Sequence, residues 1–496
     1  MDPNTCKDCH PKHFDEWSGS MHAYASDDPV FIAMNRRGQR ETNGNLGDFC
    51  LRCHAPLAVA DQEVDASAID PAALPFPRRG VTCFFCHTVN DVDIEHPFNN
   101  SLRLAGDLVM RGGISDPVDN PVHASAYSPM HDGSNIHPSS RFCGSCHDIV
   151  TPSGGHIERT YDEWARSQYA KSPPDGQPLS CGSCHMHGET GVVAEGPRSA
   201  GLPLRVRRRY DHAFPAVDVA LTDGFPQAEK QRQAVEENLQ NRLLQGAICV
   251  SQNIAGRWST IDVYLDNIGA GHQWPSGSTQ DRRAWVEVIA YRGSQVVYHS
   301  GTDENGVPLT SRARVVDVHR VDPDLWLLRD CMFDARGNEV HMFWEAAVSD
   351  GNQLPVAASG NPSNPGVNAA HIVRRYPLFD STPSTISGVP DRVTLRVLLQ
   401  PVGQDVLELL AKPSPDGDPD AVPDLDPAVL DRMPVFSVLR PTKGNTKLDS
   451  LEWTPTEAIP RPSNDALVTR SCVMAGSVNF DSDWYSPPEH QNESCR

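Results

Sequence analysis

The sequence lacks any long apolar run. No stretch of roughly 18 or more consecutive apolar residues occurs in the chain, which excludes a transmembrane helix. The opening residues, MDPNTCKDCH, contain neither a basic segment nor an apolar one, so they do not form a secretory signal. Basic residues are also scarce, since 43 Lys and Arg stand against 64 Asp and Glu for a net charge of −21. Nucleic acid and anionic membranes would repel so acidic a chain at long range, which argues against both as partners.

Apolar residues are too few for a large aliphatic core. Hydrophobic residues make up 39% of the chain, the mean hydropathy is −0.44, and there are 42 Pro and 36 Gly. This composition favours a loop-rich fold. Apolar side chains alone would not stabilise such a fold, so another component must contribute. A chain of 496 residues is nevertheless long enough for two or three domains.

Cysteine and histidine are arranged in one repeated pattern. Ten of the 14 cysteines form five Cys-x-x-Cys pairs, and a histidine follows every pair. Because only 20 of 496 residues are histidine, chance would place all five with a probability on the order of 10⁻⁷. In c-type haem attachment, two such thiols bond to one edge of the haem and the next histidine binds the iron. Zinc sites, the main alternative, do not require a histidine at that position.

The sequence therefore predicts five covalently attached c-type haems. The predicted attachment residues are Cys6, Cys9, Cys50, Cys53, Cys83, Cys86, Cys143, Cys146, Cys181 and Cys184, and the predicted proximal iron ligands are His10, His54, His87, His147 and His185. All five motifs lie within residues 1–215, so little protein is available to separate one haem from the next. The haems must then lie close together, as an electron relay requires.

Six-coordinate irons would each need a second, distal ligand. After five of the 20 histidines are assigned, 15 remain, so histidine is in ample supply. The candidate distal ligands in the first 215 residues are His22, His123, His131 and His212, while His96 and His137 share the loop that holds two of them. Methionine ligation by Met21, Met130 or Met186 is the alternative, and it would raise a haem's reduction potential.

A short segment occurs twice, with one informative difference. FDEWSGSMHA at 14–23 and YDEWARSQYA at 161–170 each follow a haem motif, but Tyr169 replaces His22 in the second copy. We interpret both copies as helices whose tryptophan packs against a haem. A haem near Tyr169 must then take its distal ligand from elsewhere, or Tyr161 and Tyr169 mark an iron with an open face.

Beyond the haem motifs, the spacing of apolar residues along the chain changes. Residues 226–246 have the spacing of an amphipathic helix, and from about 247 to 412 apolar residues alternate as in short antiparallel strands. In the loop NIGAGHQWPSG, at 267–277, His272 is the candidate distal ligand that could reach the haems. Cys249 and Cys331 are a candidate disulfide, as are Cys472 and Cys495.

The predicted fold class is α+β and multidomain. Its predicted parts are a loop- and helix-rich multihaem cytochrome c domain over 1–215, a helical linker over 216–246, an antiparallel, Ig-like β-sandwich over 247–412, and a Pro/Asp-rich C-terminal extension over 413–496 that wraps the surface.

Two resemblances extend this interpretation. CKDCHPKHFDEWSGSMHA, CLRCHAP and GVTCFFCH, within residues 1–190, resemble the multihaem family that includes the tetrahaem electron carrier of hydroxylamine oxidation. FCGSCHD, YDEWARSQYA, CGSCHM and the loop at 267–277 are similar to secreted multihaem cytochromes, including subunits of extracellular cytochrome filaments. The second resemblance implies that His22 and His272 bind iron. The carrier has four haems and no large β-domain, and the filament subunits of the closest type also have four haems, so the five motifs here depart from both patterns.

The function that we expect is electron transfer through closely spaced, mostly bis-histidine haems. The expected partners are redox proteins and, from the filament resemblance, identical subunits. Haem attachment takes place outside the cytoplasmic membrane, so we expect a secreted protein, periplasmic or extracellular, with Met1 beginning a trimmed form. The alternative is an oxidoreductase that acts on a nitrogen or sulfur compound at one five-coordinate haem. A third hypothesis makes the β-sandwich a binding module for a mineral, a polysaccharide or a partner protein. No catalytic residue is assigned.

Overall fold

The structure contains both helices and sheets, which confirms a mixed α+β architecture. It is a computed structural model that describes residues 1–60, 69–172, 178–240, 243–256, 258–356, 371–379, 389–413, 423–439, 441–443, 446–463 and 465–475. Within these ranges, none of the helices is long and apolar enough to cross a membrane.

The first half of the chain consists mainly of short helices joined by loops. The α-helices of the described residues are Asn4–Lys7, Pro11–Ser18, Met21–Tyr24, Pro29–Glu41, Leu51–His54, Pro56–Ala60, Cys83–Thr88, Ile136–Gly144, Thr160–Arg166, Cys181–His185, Ala228–Gln240, Val315–Val321 and Gln404–Leu410. Side-chain oxygens of Ser20, Asp28, Thr82 and Ser180 each accept a backbone N–H from the first turn of the helix that follows. These caps fix where the short helices begin. Each helix has few residues over which the backbone hydrogen-bond pattern can propagate.

Four two-stranded ribbons connect these helices. They pair Val89–Val92 with Leu102–Leu104, Met110–Gly112 with Ser125–Tyr127, Ile149–Val150 with His156–Ile157, and Gly188–Gly191 with Arg207–Tyr210. The second ribbon is parallel and the others are antiparallel.

Two antiparallel sheets dominate the second half. In one sheet the strand order is His371–Phe379, Trp258–Asn267, Leu244–Asn253, Val468–Ala475, Ile459–Arg461. In the other, the order is Gln295–Ser300, Arg283–Arg292, Arg392–Gln400, Phe436–Ser437, with Trp326–Leu328 and Leu451–Trp453 pairing with the two central strands. Smaller sheets join Glu339–Val340, Asp330–Phe333 and Val348–Gly351, and Thr442–Lys443 with Thr446–Lys447.

Both large sheets contribute side chains to one hydrophobic core. Val263 and Leu265 from the first sheet and Val286 from the second are fully buried in the same cluster. Alternate residues of a strand point to the same face, which is why the apolar alternation in the sequence predicted these strands. The helix Ala228–Gln240 adds Val235 and Leu239 to this cluster, so the predicted linker helix packs as part of the core.

The C-terminal region differs from the prediction. We expected residues 413–496 to wrap the surface, but Val468–Ala475 lies inside the five-stranded sheet, and a disulfide joins Cys472 to Cys249 on the adjacent strand. The predicted pairings of Cys249 with Cys331 and of Cys472 with Cys495 are therefore both wrong. Cys331 is also disulfide-bonded, and Cys495 lies outside the described residues.

Candidate functional site

All of the predicted haem-binding residues line one cavity of about 1650 Å³. Its walls include the ten cysteines and five histidines of the motifs, together with the five candidate distal ligands His22, His123, His131, His212 and His272. None of the motif cysteines forms a disulfide. His96 and His137 are not part of its lining. The cavity also reaches the loop at 267–277, so the two halves of the chain share it.

Most motif histidines are oriented in the same way. Their Nδ1–H groups donate to backbone carbonyls, His10 to Val193, His54 to Ala25, His87 to Arg111 and His185 to Pro215. Such a bond fixes the ring and leaves Nε2 with its lone pair free for a metal.

Three candidate distal histidines share this orientation. Nδ1 of His212 lies 3.0 Å from the carbonyl oxygen of Tyr210, and Nδ1 of His272 lies 2.7 Å from that of Gln273. Nδ1 of His123 contacts the carbonyl oxygen of Ala124 at 3.3 Å. His131 is reversed, because its Nε2 bonds to the carbonyl of Cys86 and its Nδ1 has no hydrogen-bond partner among the described residues.

The spacing of the rings matches bis-histidine ligation. Two imidazoles that bind one metal from opposite faces, each at about 2 Å through nitrogen, have ring centres about 6 Å apart. The centres of His10 and His123 are 6.4 Å apart, those of His87 and His212 are 6.3 Å apart, and those of His147 and His22 are 6.3 Å apart. His131 lies 5.6 Å from His87. Residues on separate elements thus form three pairs with the separation that one iron needs.

His272 lies beside the fifth motif. Burial, with smaller contributions from the neighbouring His185 and His147, lowers the pKa of His272 to about 4. Gly271 and Gly277 on either side of this histidine have φ values of +74° and +73°, which glycine adopts without strain. These glycines turn the loop tightly enough to project the imidazole into the cavity.

Helix Thr160–Arg166 and the residues before it hold the His272 loop in place. Ser278 Oγ donates to Glu158 at 2.7 Å, Thr160 and Ser276 share a hydroxyl bond of 2.7 Å, and the backbone N–H of Gly277 donates to Thr160 Oγ1 at 3.1 Å. The loop and the helix that contains the second DEW segment are therefore joined at several points.

The duplicated segment has one structural role in both copies. Trp17 donates its Nε1–H to the carbonyl of Val81 at 2.8 Å, and Trp164 donates to that of Leu179 at 3.0 Å. Each acceptor lies two residues before the first cysteine of a haem motif. Both tryptophans are buried. Each copy thus attaches itself to the segment that leads into another motif, whether it carries histidine or tyrosine.

Tyr169 stands where the first copy has the candidate ligand His22, and it contacts a loop. Its hydroxyl donates to the carbonyl of Ile268 at 2.8 Å, and its ring packs close to Gly271. These two residues belong to the loop that carries His272. The first copy carries the candidate ligand His22 itself, whereas the second contacts the loop that carries the candidate ligand His272.

His54 of the second motif has a different environment. Its ring stacks on Phe31 at 4.0 Å, and burial lowers its pKa while the carboxylate of Glu158 opposes that shift. Within the described residues, no second histidine ring faces it at the spacing of the three pairs above. Asn35 also lines the cavity, and its buried amide oxygen has no hydrogen-bond partner among the described residues.

His13 was not predicted from the sequence. It lines the cavity, with its ring centre 5.8 Å from that of His10 and 4.8 Å from that of His212, and burial lowers its pKa to about 2. Its position three residues after His10, on the same side of a helical turn, was the available signal.

The motifs contact one another directly. Cysteines of different motifs are close neighbours: Cys6 of Cys83, Cys53 of Cys146, and Cys143 of Cys181. The first motif therefore lies beside the third, and the fourth lies beside both the second and the fifth.

The chain is similar to a known family over its first three motifs and to a solved structure in its fold. Residues 5–88, which contain the first three motifs, match the family described as cytochrome c554 and c-prime. A comparison with curated proteins gave no match. The chain is similar in structure to a penta-haem cytochrome c552 from Thermochromatium tepidum, with 18% identity and a TM-score of 0.52, covering 83% of this chain and 94% of that one. The structural similarity shows that the two chains share a fold.

Proposed function

We propose that this chain is an electron-transfer protein that carries five c-type haems around one cavity. The observation that carries the proposal is the convergence of all five Cys-x-x-Cys-His motifs, from 180 residues of sequence, on that cavity. Haem iron supplies reversible one-electron chemistry when bound. The protein's own residues attach the haems, bind the irons and exclude water.

Four of the irons receive two histidines in this proposal. The pairs are His10 with His123, His87 with His212, His147 with His22, and His185 with His272. His131 as a ligand remains a prediction, and the geometry favours His212 because the Nε2 of His131 is already hydrogen-bonded.

The contacts between motifs favour a branched arrangement of the haems for electron transfer. The fourth motif adjoins the second and the fifth through its two cysteines, and Cys86 of the third motif acts electrostatically on both Cys143 and Cys146. The first motif reaches this junction through the third. Haems held at these motifs would place the first beside the third and the third beside the fourth, and the fourth would adjoin both the second and the fifth.

Haem content and low-temperature EPR of the oxidised protein test the proposal. We expect five haems per chain, with four low-spin irons and one high-spin iron. His22→Ala should convert one further iron to high spin, whereas His96→Ala, outside the cavity lining, should leave the spectrum unchanged. Fewer than five haems per chain, or an unchanged spectrum for His22→Ala, would contradict this assignment.

A second candidate function arises at the second motif. His54 has no histidine partner among the described residues, so its iron is the candidate for an open, five-coordinate site. An oxidoreductase acting on a nitrogen or sulfur compound would need such an iron. Binding of cyanide to one iron per chain would support this function, and five low-spin irons would contradict it while leaving electron transfer intact.

Location, domain boundaries and assembly also remain proposals. Haem attachment outside the cytoplasmic membrane supports a periplasmic or extracellular protein. The cavity motifs within 1–215 and the sheets beyond 244 support the division into a haem domain, a linker helix and a β-sandwich. Assembly into filaments of identical subunits rests on the sequence resemblance, and electron microscopy of the purified protein tests it.

A further inference from the structure

The glutamates of the two DEW segments make the same kind of contact at two different sites. The Glu16 carboxylate accepts the backbone N–H of His212 at 3.1 Å. The Glu163 carboxylate accepts the backbone N–H of Gln273, the residue after His272, at 3.2 Å. Two equivalent positions of a sequence repeat therefore bind two loops that are unrelated in sequence, and each loop carries a candidate distal histidine.

Each glutamate also makes a second bond close to its histidine. Glu163, only 3% exposed, accepts Ser276 Oγ at 2.6 Å, so its carboxylate spans the loop just beyond His272. Glu16 accepts both of its other bonds from Arg209, at 2.7 and 2.9 Å, three residues before His212. Two anchor points on a short segment limit its rotation more than one does.

The neighbouring aspartates of the same segments do not take part. Asp15 pairs with Lys230 at 3.6 Å, and both side chains are largely exposed. Asp162 pairs with Arg166 at 2.6 Å on its own helix. In each DEW segment, the aspartate therefore lies toward solvent and the glutamate binds the loop that carries a candidate distal histidine. Asp162 also provides a matched control, one residue from Glu163.

We propose that the glutamate of each DEW segment is a positioning residue for a distal histidine, Glu16 for His212 and Glu163 for His272. This inference rests on the proposed bis-histidine ligation. A carboxyl group has two acceptor oxygens and can therefore hold two donors at once, and bonds in a water-poor site are not exchanged for water. The carboxylate thereby holds the backbone beside the imidazole, which itself has only one carbonyl contact to orient it.

Glu163→Ala, purified with all five haems, tests the proposal by EPR and by redox titration. We expect one fifth of the iron to lose its low-spin signal or to shift in reduction potential, with Asp162→Asn unchanged. Glu163→Gln, which retains one acceptor oxygen, should restore most of the low-spin signal. The corresponding change at Glu16 should affect the iron paired with His212, and leave that paired with His272 unchanged.

His272→Ala separates failure of this inference from failure of the ligation. If His272→Ala leaves the number of low-spin irons unchanged, the proposed ligation is wrong. If His272→Ala opens one iron but folded Glu163→Ala keeps the native spectrum and potentials, the positioning role is overturned and the ligation stands. Should Glu163→Ala not fold, Glu163→Asp decides in the same way, because it keeps the charge but withdraws the carboxylate by one methylene.

Discussion

The disulfide between Cys249 and Cys472 should contribute strongly to the stability of the β-sheets. The two cysteines lie opposite each other on adjacent strands and are separated by 223 residues of sequence. A cross-link lowers the entropy of the unfolded chain by an amount that grows with the logarithm of the closed loop. For a loop of this length, the relation corresponds to about 5 kcal/mol in the free energy of unfolding at 25 °C.

The double variant Cys249→Ala/Cys472→Ala removes the cross-link without leaving a free thiol. Urea unfolding followed by far-UV circular dichroism should show a large drop in midpoint and a steeper denaturant dependence, because the unfolded chain becomes less compact. Val473→Ala on the same strand is the control for disturbed packing, with an expected loss of about 1 kcal/mol. A loss in the double variant no larger than that of the control would refute the reasoning. Native-like strand pairing without the bond would then account for the stability.

Three further substitutions test individual contacts. Leu239→Ala should lower the free energy of unfolding by about 3 kcal/mol, because it leaves a cavity where the helix meets the sheets, whereas Glu237→Ala on the exposed face should change it by less than about 0.5 kcal/mol in the same urea titration. Gly271→Ala should cost about 1–2 kcal/mol because the backbone there is left-handed, and the absorbance spectrum of one haem should change with it. Trp164→Phe removes the bond to the carbonyl of Leu179 and should cost about 1 kcal/mol, measured by thermal unfolding.

The local parts of this structure could be predicted from the sequence. Each haem motif is complete within five residues, so its chemistry is visible without knowledge of the fold. The strands around Val263 and Val286 follow from alternation of apolar residues, which depends only on near neighbours. His272 was identified because glycines on both sides and a proline mark its loop as unusual.

Pairings between distant segments could not be predicted. Cys249 had three possible partners outside the motifs, and the choice of Cys472 depends on strand Val468–Ala475, whose apolar alternation is weak. The contacts of Glu16 and Glu163 with distant loops were also invisible in the sequence, because nothing in the repeated segment indicates which loops it will meet. These features depend on which segments meet, and that is decided by the packing of the whole chain.

The position of His272 links haem coordination to the order in which the chain is made. The fifth motif ends at His185, but its proposed second ligand extends from strand Trp258–Asn267 of the five-stranded sheet. That sheet is complete only after Val468–Ala475 has paired, near the end of the described residues. During synthesis from the N-terminus, three of the proposed histidine pairs thus lie among residues already made, whereas the pair of His185 with His272 waits for the sheet. The absorbance spectrum of the haem at the fifth motif would therefore report when maturation of the whole protein has finished.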